Sequence, residues 1–120
     1  MDILKIALAE DHPMLRKSLV AFLSLKNNIQ VVVQAENGQE LLDKLKTSKV
    51  DIVILDIQMP VLDGIATLKQ LKSDYPNSKV IMFSTWYSNH TVTKLKKMGA
   101  NACVSKSEPE KLLDSIYSLS

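Results

Sequence analysis

Five short apolar, β-branched segments alternate with five longer segments whose apolar residues recur at helical spacing. This alternation restricts the fold more than any other feature of the chain. The short segments are residues 3–9, 30–35, 51–55, 79–84 and 101–105. Between and after them, Leu15, Leu19, Phe22 and Leu23 share one helical face, as do Leu41, Leu42 and Leu45. Ile65, Leu68 and Leu71, then Val92 and Leu95, then Leu112, Leu113 and Ile116 repeat the pattern. Strands separated by such helices pair in parallel through right-handed crossovers. The run Ile52-Val53-Ile54-Leu55 is apolar on both sides, so helices are expected on both faces of the sheet. The predicted architecture is a single doubly wound α/β domain spanning 1–120. Its 120 residues suffice for one core.

The punctuation agrees with this reading. Asp11 is expected to cap the first helix, with Pro13 in its first turn. Asn37 and Ser88 are expected caps for the second and fourth helices, and Asp63 before Gly64 is a turn and cap residue. Residues 107–110 (Ser-Glu-Pro-Glu) read as a capping box for the last helix. Pro76 and Gly99 stop the third and fourth.

Composition removes several function classes. Fifteen Lys and Arg against thirteen Asp and Glu give a net charge of +2, so bulk charge supplies no argument for nucleic-acid or membrane binding. The single cysteine, Cys103, excludes an intrachain disulfide and a cysteine-based zinc cluster. Asp2 and Lys5 interrupt the first apolar residues, and no apolar run approaches the roughly 18 residues of a membrane span. A cytoplasmic location is the expectation.

Doubly wound sheets bind ligands beyond the carboxyl ends of their strands. Glu10 and Asp11 follow the first strand here, and Asp56 follows the third. Ser84 and Thr85 end the fourth, and Lys106 follows the fifth. Each alone has a bland reading as a cap or a solvated side chain. Together they set three carboxylates, one or two hydroxyls and one ammonium on one edge. Crowded carboxylates either raise a pKa or recruit a cation, and an oxygen-only set suits Mg²⁺. A nucleotide cradle is disfavoured, because the loop after the first strand has no glycine and two negative charges.

These residues, with the segment Asp56-Ile57-Gln58-Met59-Pro60-Val61-Leu62-Asp63-Gly64, resemble the receiver domain of bacterial two-component response regulators across essentially the whole chain. The resemblance implies a flavodoxin-like fold with strand order 2-1-3-4-5. It implies that Asp56 accepts a phosphoryl group from a sensor histidine kinase, a phosphotransfer protein or a small donor such as acetyl phosphate. Mg²⁺ (or Mn²⁺) would be held by Asp11, Asp56 and the backbone carbonyl of Gln58, with Glu10 acting mainly through a bound water. Lys106 and Ser84 would meet the phosphoryl oxygens. Gln58 and Trp86 would flank the path of the hydrolytic water.

The switch implied is a shift of the segment after the fourth strand and of the face built by the fourth helix, fifth strand and fifth helix. It would act on an output domain, a partner protein or a second copy of the chain. Cys103 stands three residues before Lys106, where the family usually has Tyr or Phe; Trp86 and Tyr87 are offered as a replacement reporter. The opening Asp11-His12-Pro13-Met14-Leu15 resembles the LuxR/NarL-type branch, which implies transcription regulation by an output domain outside these residues and no direct nucleic-acid binding within them. The alternatives are a pseudo-receiver that binds partners without phosphorylation and an aspartate-nucleophile phosphatase. Gln58 speaks against the phosphatase, which usually has a second Asp at that position. The expectation is a signalling module and not a turnover enzyme.

Overall fold

The computed structural model describes residues 2–85 and 88–120. Its elements run β1 (Leu4–Ala9), α1 (Pro13–Ser24), β2 (Ile29–Ala35), α2 (Gly38–Leu45), β3 (Ile52–Leu55), α3 (Gly64–Asp74), β4 (Val80–Ser84), α4 (Asn89–Lys97), β5 (Ala102–Ser105) and α5 (Glu110–Leu119). The five strands form one parallel sheet in the order β2-β1-β3-β4-β5. Each predicted strand is found within one residue of its expected bounds.

The side-chain period of two sorts the sheet into two apolar layers. Ile6, Leu8, Ile52, Ile54, Ile81, Phe83 and Val104 face Leu19 and Leu23 of α1 and Leu112 and Ile116 of α5. The alternate set, Ala7, Ala9, Val53, Leu55, Val80 and Met82, faces α2, α3 and Leu95 of α4. Every residue of β3 is buried, as its unbroken apolar run requires.

Three caps form as read. Asn37 accepts from the Glu40 N–H at 2.8 Å, Asp63 from Ala66 at 2.8 Å and Ser88 from Thr91 at 3.1 Å. Two expectations are corrected. The cap of α1 is His12, whose Nδ1 accepts from the Leu15 N–H at 3.2 Å; Asp11 lies one residue too early. The capping box at 107–110 does not form. Residue Pro109 stands at the cap position of α5 in helical conformation and makes no side-chain cap bond. Ser107 is therefore two residues too early, and its hydroxyl pairs with that of Ser105 at 2.8 Å. Backbone bonds from Lys111 to Glu108 and from Leu112 to Pro109 supply the first turn instead.

Gly99 ends α4 at φ +107°. Its N–H reaches the Lys96 carbonyl and the Ala100 N–H reaches that of Leu95, the paired bonds of a Schellman stop. His90, Lys94, Lys96 and Lys97 are exposed along this helix, as expected of a wet face.

Candidate functional site

Backbone pairing carries the sheet one residue past three of its strands, and each of those residues is a predicted site residue. The Glu10 N–H bonds the Ala35 carbonyl at 3.0 Å, the Asp56 N–H bonds Ala9 at 3.1 Å and the Lys106 N–H bonds Ser84 at 2.6 Å. Glu10, Asp56 and Lys106 share the parity of Leu8, Ile54 and Val104, so their side chains emerge on one side of the sheet edge. Lys106 Nζ then reaches Glu10 Oε2 at 2.9 Å and Asp56 Oδ2 at 3.0 Å. Glu10 is 1% exposed and Asp56 5% exposed, which makes this a desolvated pair of carboxylates sharing one ammonium.

Asp11, exposed at the rim, offers an oxygen to the same cluster. Ligand atoms of Glu10, Asp11 and Asp56 all lie within 4.8 Å of one another. Three carboxylates against one ammonium leave a local deficit of positive charge. Burial pushes the Glu10 carboxyl above its ordinary 4.5, and the Asp56 carboxylate pushes the same way, while Lys106 opposes them. Burial pulls Lys106 down, but its bonds to Glu10 and Asp56 outweigh this and hold it above 10.5. An oxygen-only set in charge deficit fits a hard divalent cation.

The pocket over the cluster has a volume of about 390 Å³ and is lined by Glu10, Asp11, His12, Leu15, Asp56, Gln58, Thr85 and Lys106. Gln58 also donates its N–H to Asp56 Oδ1 at 3.3 Å, which places its backbone beside the carboxylate. Ser84 lies at the end of β4, buried, with the parity of Val80 and Met82. The pocket wall is made by its neighbour Thr85. Cys103, half-buried, packs on the α4 side of the sheet, and burial pushes its thiol up. Trp86 and Tyr87, proposed as reporters, lie outside the described residues, as does the water-flanking role of Trp86.

Two further residues support the site; Gly64 closes the segment from Asp56 that the sequence marked, and Arg16 had no sequence signal. Arg16 donates from Nη1 to the Glu10 carbonyl at 2.8 Å and pairs through Nη2 with Glu36 at 3.6 Å, tying α1 to the ends of β1 and β2. Gly64 donates to the Ile57 carbonyl at 2.8 Å. A Cβ on Gly64 would lie 2.0 Å from the Asp56 carbonyl oxygen, so the loop between β3 and α3 folds back on Asp56 only because this residue has no side chain. Another cleft, of about 660 Å³, lies at the opposite edge among Leu45, Val50, Leu71 and Tyr75, away from every predicted site residue.

A doubly wound parallel sheet with clustered carboxylates and a lysine beyond its carboxyl edge defines a class of signalling domain. Residues 6–117 match the response regulator receiver domain, and the chain belongs to that family. It is 33% identical over 111 residues to the transcriptional regulatory protein YhcZ of Bacillus subtilis, covering 92% of this chain and 52% of that protein. It is 33% identical over 115 residues to the nitrate/nitrite response regulator protein NarL of Escherichia coli, covering 93% and 52%. The chain thus spans about half the length of these curated relatives. A solved chain from the CheX-CheY-BeF₃-Mg²⁺ complex of Borrelia burgdorferi superposes with a TM-score of 0.91 at 27% identity, covering 97% of this chain and 88% of that one. Response regulator receivers are mainly signalling modules that work with histidine kinases and output domains. Among the described residues, no helix is long and apolar enough to cross a membrane.

Proposed function

We propose that this chain is the phosphoacceptor receiver of a two-component system, taking a phosphoryl group from a histidine kinase or phosphotransfer protein onto Asp56. The observation that carries this reading is Lys106 bridging Asp56 and Glu10 at 3.0 and 2.9 Å, with Asp11 completing the acidic cluster. Asp56 supplies the nucleophilic oxygen from the pocket floor. Lys106 holds a phosphoryl oxygen and offsets its charge. Asp11, Asp56 and the Gln58 carbonyl would hold Mg²⁺ or Mn²⁺, with Glu10 acting mainly through a bound water, and the ion would neutralise the phosphoryl oxygens so that an anionic carboxylate could approach them.

Ser84 donates its hydroxyl to the phosphorylated site. The loop after β4 follows it inward and shifts the α4–β5–α5 face. That shift controls an output, most simply transcription in a longer protein of which this is the receiver, through a partner domain or a second copy. The BeF₃ and Mg²⁺ in the Borrelia complex support the same chemistry for this chain. The domain acts in the cytoplasm, where its donor is found, and is a switch and not a turnover enzyme.

Incubation with acetyl phosphate and Mg²⁺, followed by intact-mass measurement, tests the reading. One phosphoryl adduct is expected, absent from Asp56→Asn and from samples with chelator. No adduct on the unmodified chain overturns the proposal in favour of a phosphorylation-independent binding module, and turnover of phosphoesters overturns it in favour of a phosphatase.

A further inference from the structure

The pocket has a floor of buried Glu10 and Asp56 with half-buried Lys106, and an exposed rim that includes Asp11, His12 and Thr85. His12 is extended at the cap of α1, and its Nδ1 accepts the Leu15 N–H. A nitrogen that accepts carries no proton, so the neutral ring carries its proton on Nε2. Ser, Thr, Asp and Asn fill most cap positions. Any of them would satisfy this helix, but none would put an imidazole, with its second ring nitrogen, on the lining of the pocket. Asp11, on the same rim, can only accept once ionised.

We propose that His12 Nε2–H donates a hydrogen bond to the leaving group of the phosphoryl donor at the mouth of this pocket. The inference rests on the phosphoacceptor reading and assigns that reaction a further residue. In-line transfer places attacking and leaving oxygens on opposite sides of phosphorus. Asp56 attacks from the floor, so the breaking bond points toward the rim. With an acyl phosphate, the Asp56 Oδ–P bond forms while the bridging P–O bond breaks. The electron pair of that bond stays on the departing carboxylate oxygen. Negative charge grows on that oxygen, where the N–H of His12 stabilises it. The proton remains on Nε2 throughout, because a carboxylate leaves as the anion.

Two substitutions separate this role from capping. In His12→Asn, Oδ1 stands where Nδ1 stood, so the cap is kept and the outer N–H is lost. In His12→Gln, the amide nitrogen stands near the position of Nε2, so the outer donor is kept and the cap is weakened. With acetyl phosphate and Mg²⁺, followed by intact mass over time, His12→Asn is expected to be phosphorylated about tenfold more slowly, the effect of one lost hydrogen bond to a charged group. His12→Gln is expected to keep most of the rate.

The reverse order is what a capping role alone produces, and it overturns the inference, as does equal slowing of both variants. Beryllofluoride has no leaving group, so its calorimetric affinity in the presence of Mg²⁺ is expected to be the same for His12→Asn and the parent. A parallel loss of affinity would place the contact on the phosphoryl group and overturn the assignment. If the parent chain takes no phosphoryl group, the phosphoacceptor reading falls and the inference with it. If the parent is phosphorylated and His12→Asn keeps pace, only the inference falls.

Discussion

Glu10 concentrates the electrostatic cost of the site in one side chain. Its carboxyl is buried, faces Asp56 and titrates above 4.5. A carboxyl with a raised pKa holds its proton more tightly in the folded chain than in the unfolded one. Stability from this group therefore falls as pH rises above 4.5 through the folded value, and the cost is complete above that value. Glu10→Gln removes the cost. Without divalent cations, the variant is expected to be more stable than the parent at neutral pH. The gap should open as pH climbs from 4.5 and close below it, read as urea midpoints across a pH series. An unchanged gap from pH 4 to pH 8 would show that the carboxylate is not the source. Glu10, Asp56 and Lys106 were legible because each stands directly after an apolar run. Arg16 was not, since its role depends on Glu36 arriving from β2, a meeting that only the assembled sheet creates. His12 was seen in the sequence and given no role, because a cap one residue later than expected changes which side chain it falls to.

At the scale of elements, local chemistry decided what could be read. Asn37, Asp63 and Ser88 cap their helices because each is a short acceptor directly ahead of an amphipathic run. The pattern at 107–110 has the right letters, but Pro109 is already helical in φ and ψ, which moves the cap position past Ser107. Gly99 is the clearest stop. At φ +107° a side chain is strained, and a Cβ would also meet the Lys72 stem at 3.0 Å. Lys72 crosses here to bond the Ser78 carbonyl and Asn101 Oδ1, and Asn101 Oδ1 in turn accepts from the Val80 N–H at 2.9 Å. Lys72 of α3 thus ties the starts of β4 and β5 together directly beside the end of α4. Gly99→Ala is expected to cost about 1–3 kcal/mol in urea unfolding, the range for a residue held in a sparsely populated backbone region. Phosphorylation of Asp56 should still occur, because the tie lies at the opposite edge of the sheet. A loss below 0.5 kcal/mol, roughly the size of an ordinary surface change, would mean the helix end relaxes to another stop.

Across the whole molecule, the parallel β-α repeat followed from periodicity, but the order β2-β1-β3-β4-β5 came from the family resemblance. Periodicity fixes which residues are apolar and says nothing of the edge to which the next unit is added. That order has an energetic consequence. It makes β1 and β3 neighbours, so the Asp56 N–H can bond the Ala9 carbonyl beside Glu10, and three carboxylates meet with Lys106, among the described residues, as the cation paired to Glu10 and Asp56. A divalent ion that binds this cluster binds the folded chain alone, because the unfolded chain separates Asp11 from Asp56. At a free concentration a hundred times its dissociation constant, such an ion adds about 2.7 kcal/mol of stability. For a domain of this size that raises the thermal midpoint by about 10 °C. Mg²⁺ is expected to produce a rise of this kind and excess chelator to reverse it. Sodium chloride at equal ionic strength should give much less, since screening acts weakly on buried groups. Asp11→Asn should lose most of the Mg²⁺ response while keeping the fold, because Asp11 is exposed and neither caps α1 nor joins the core. A midpoint indifferent to Mg²⁺ in the parent chain would mean that Lys106 alone balances the cluster, and the proposed phosphoryl transfer to Asp56 would then lack its cation.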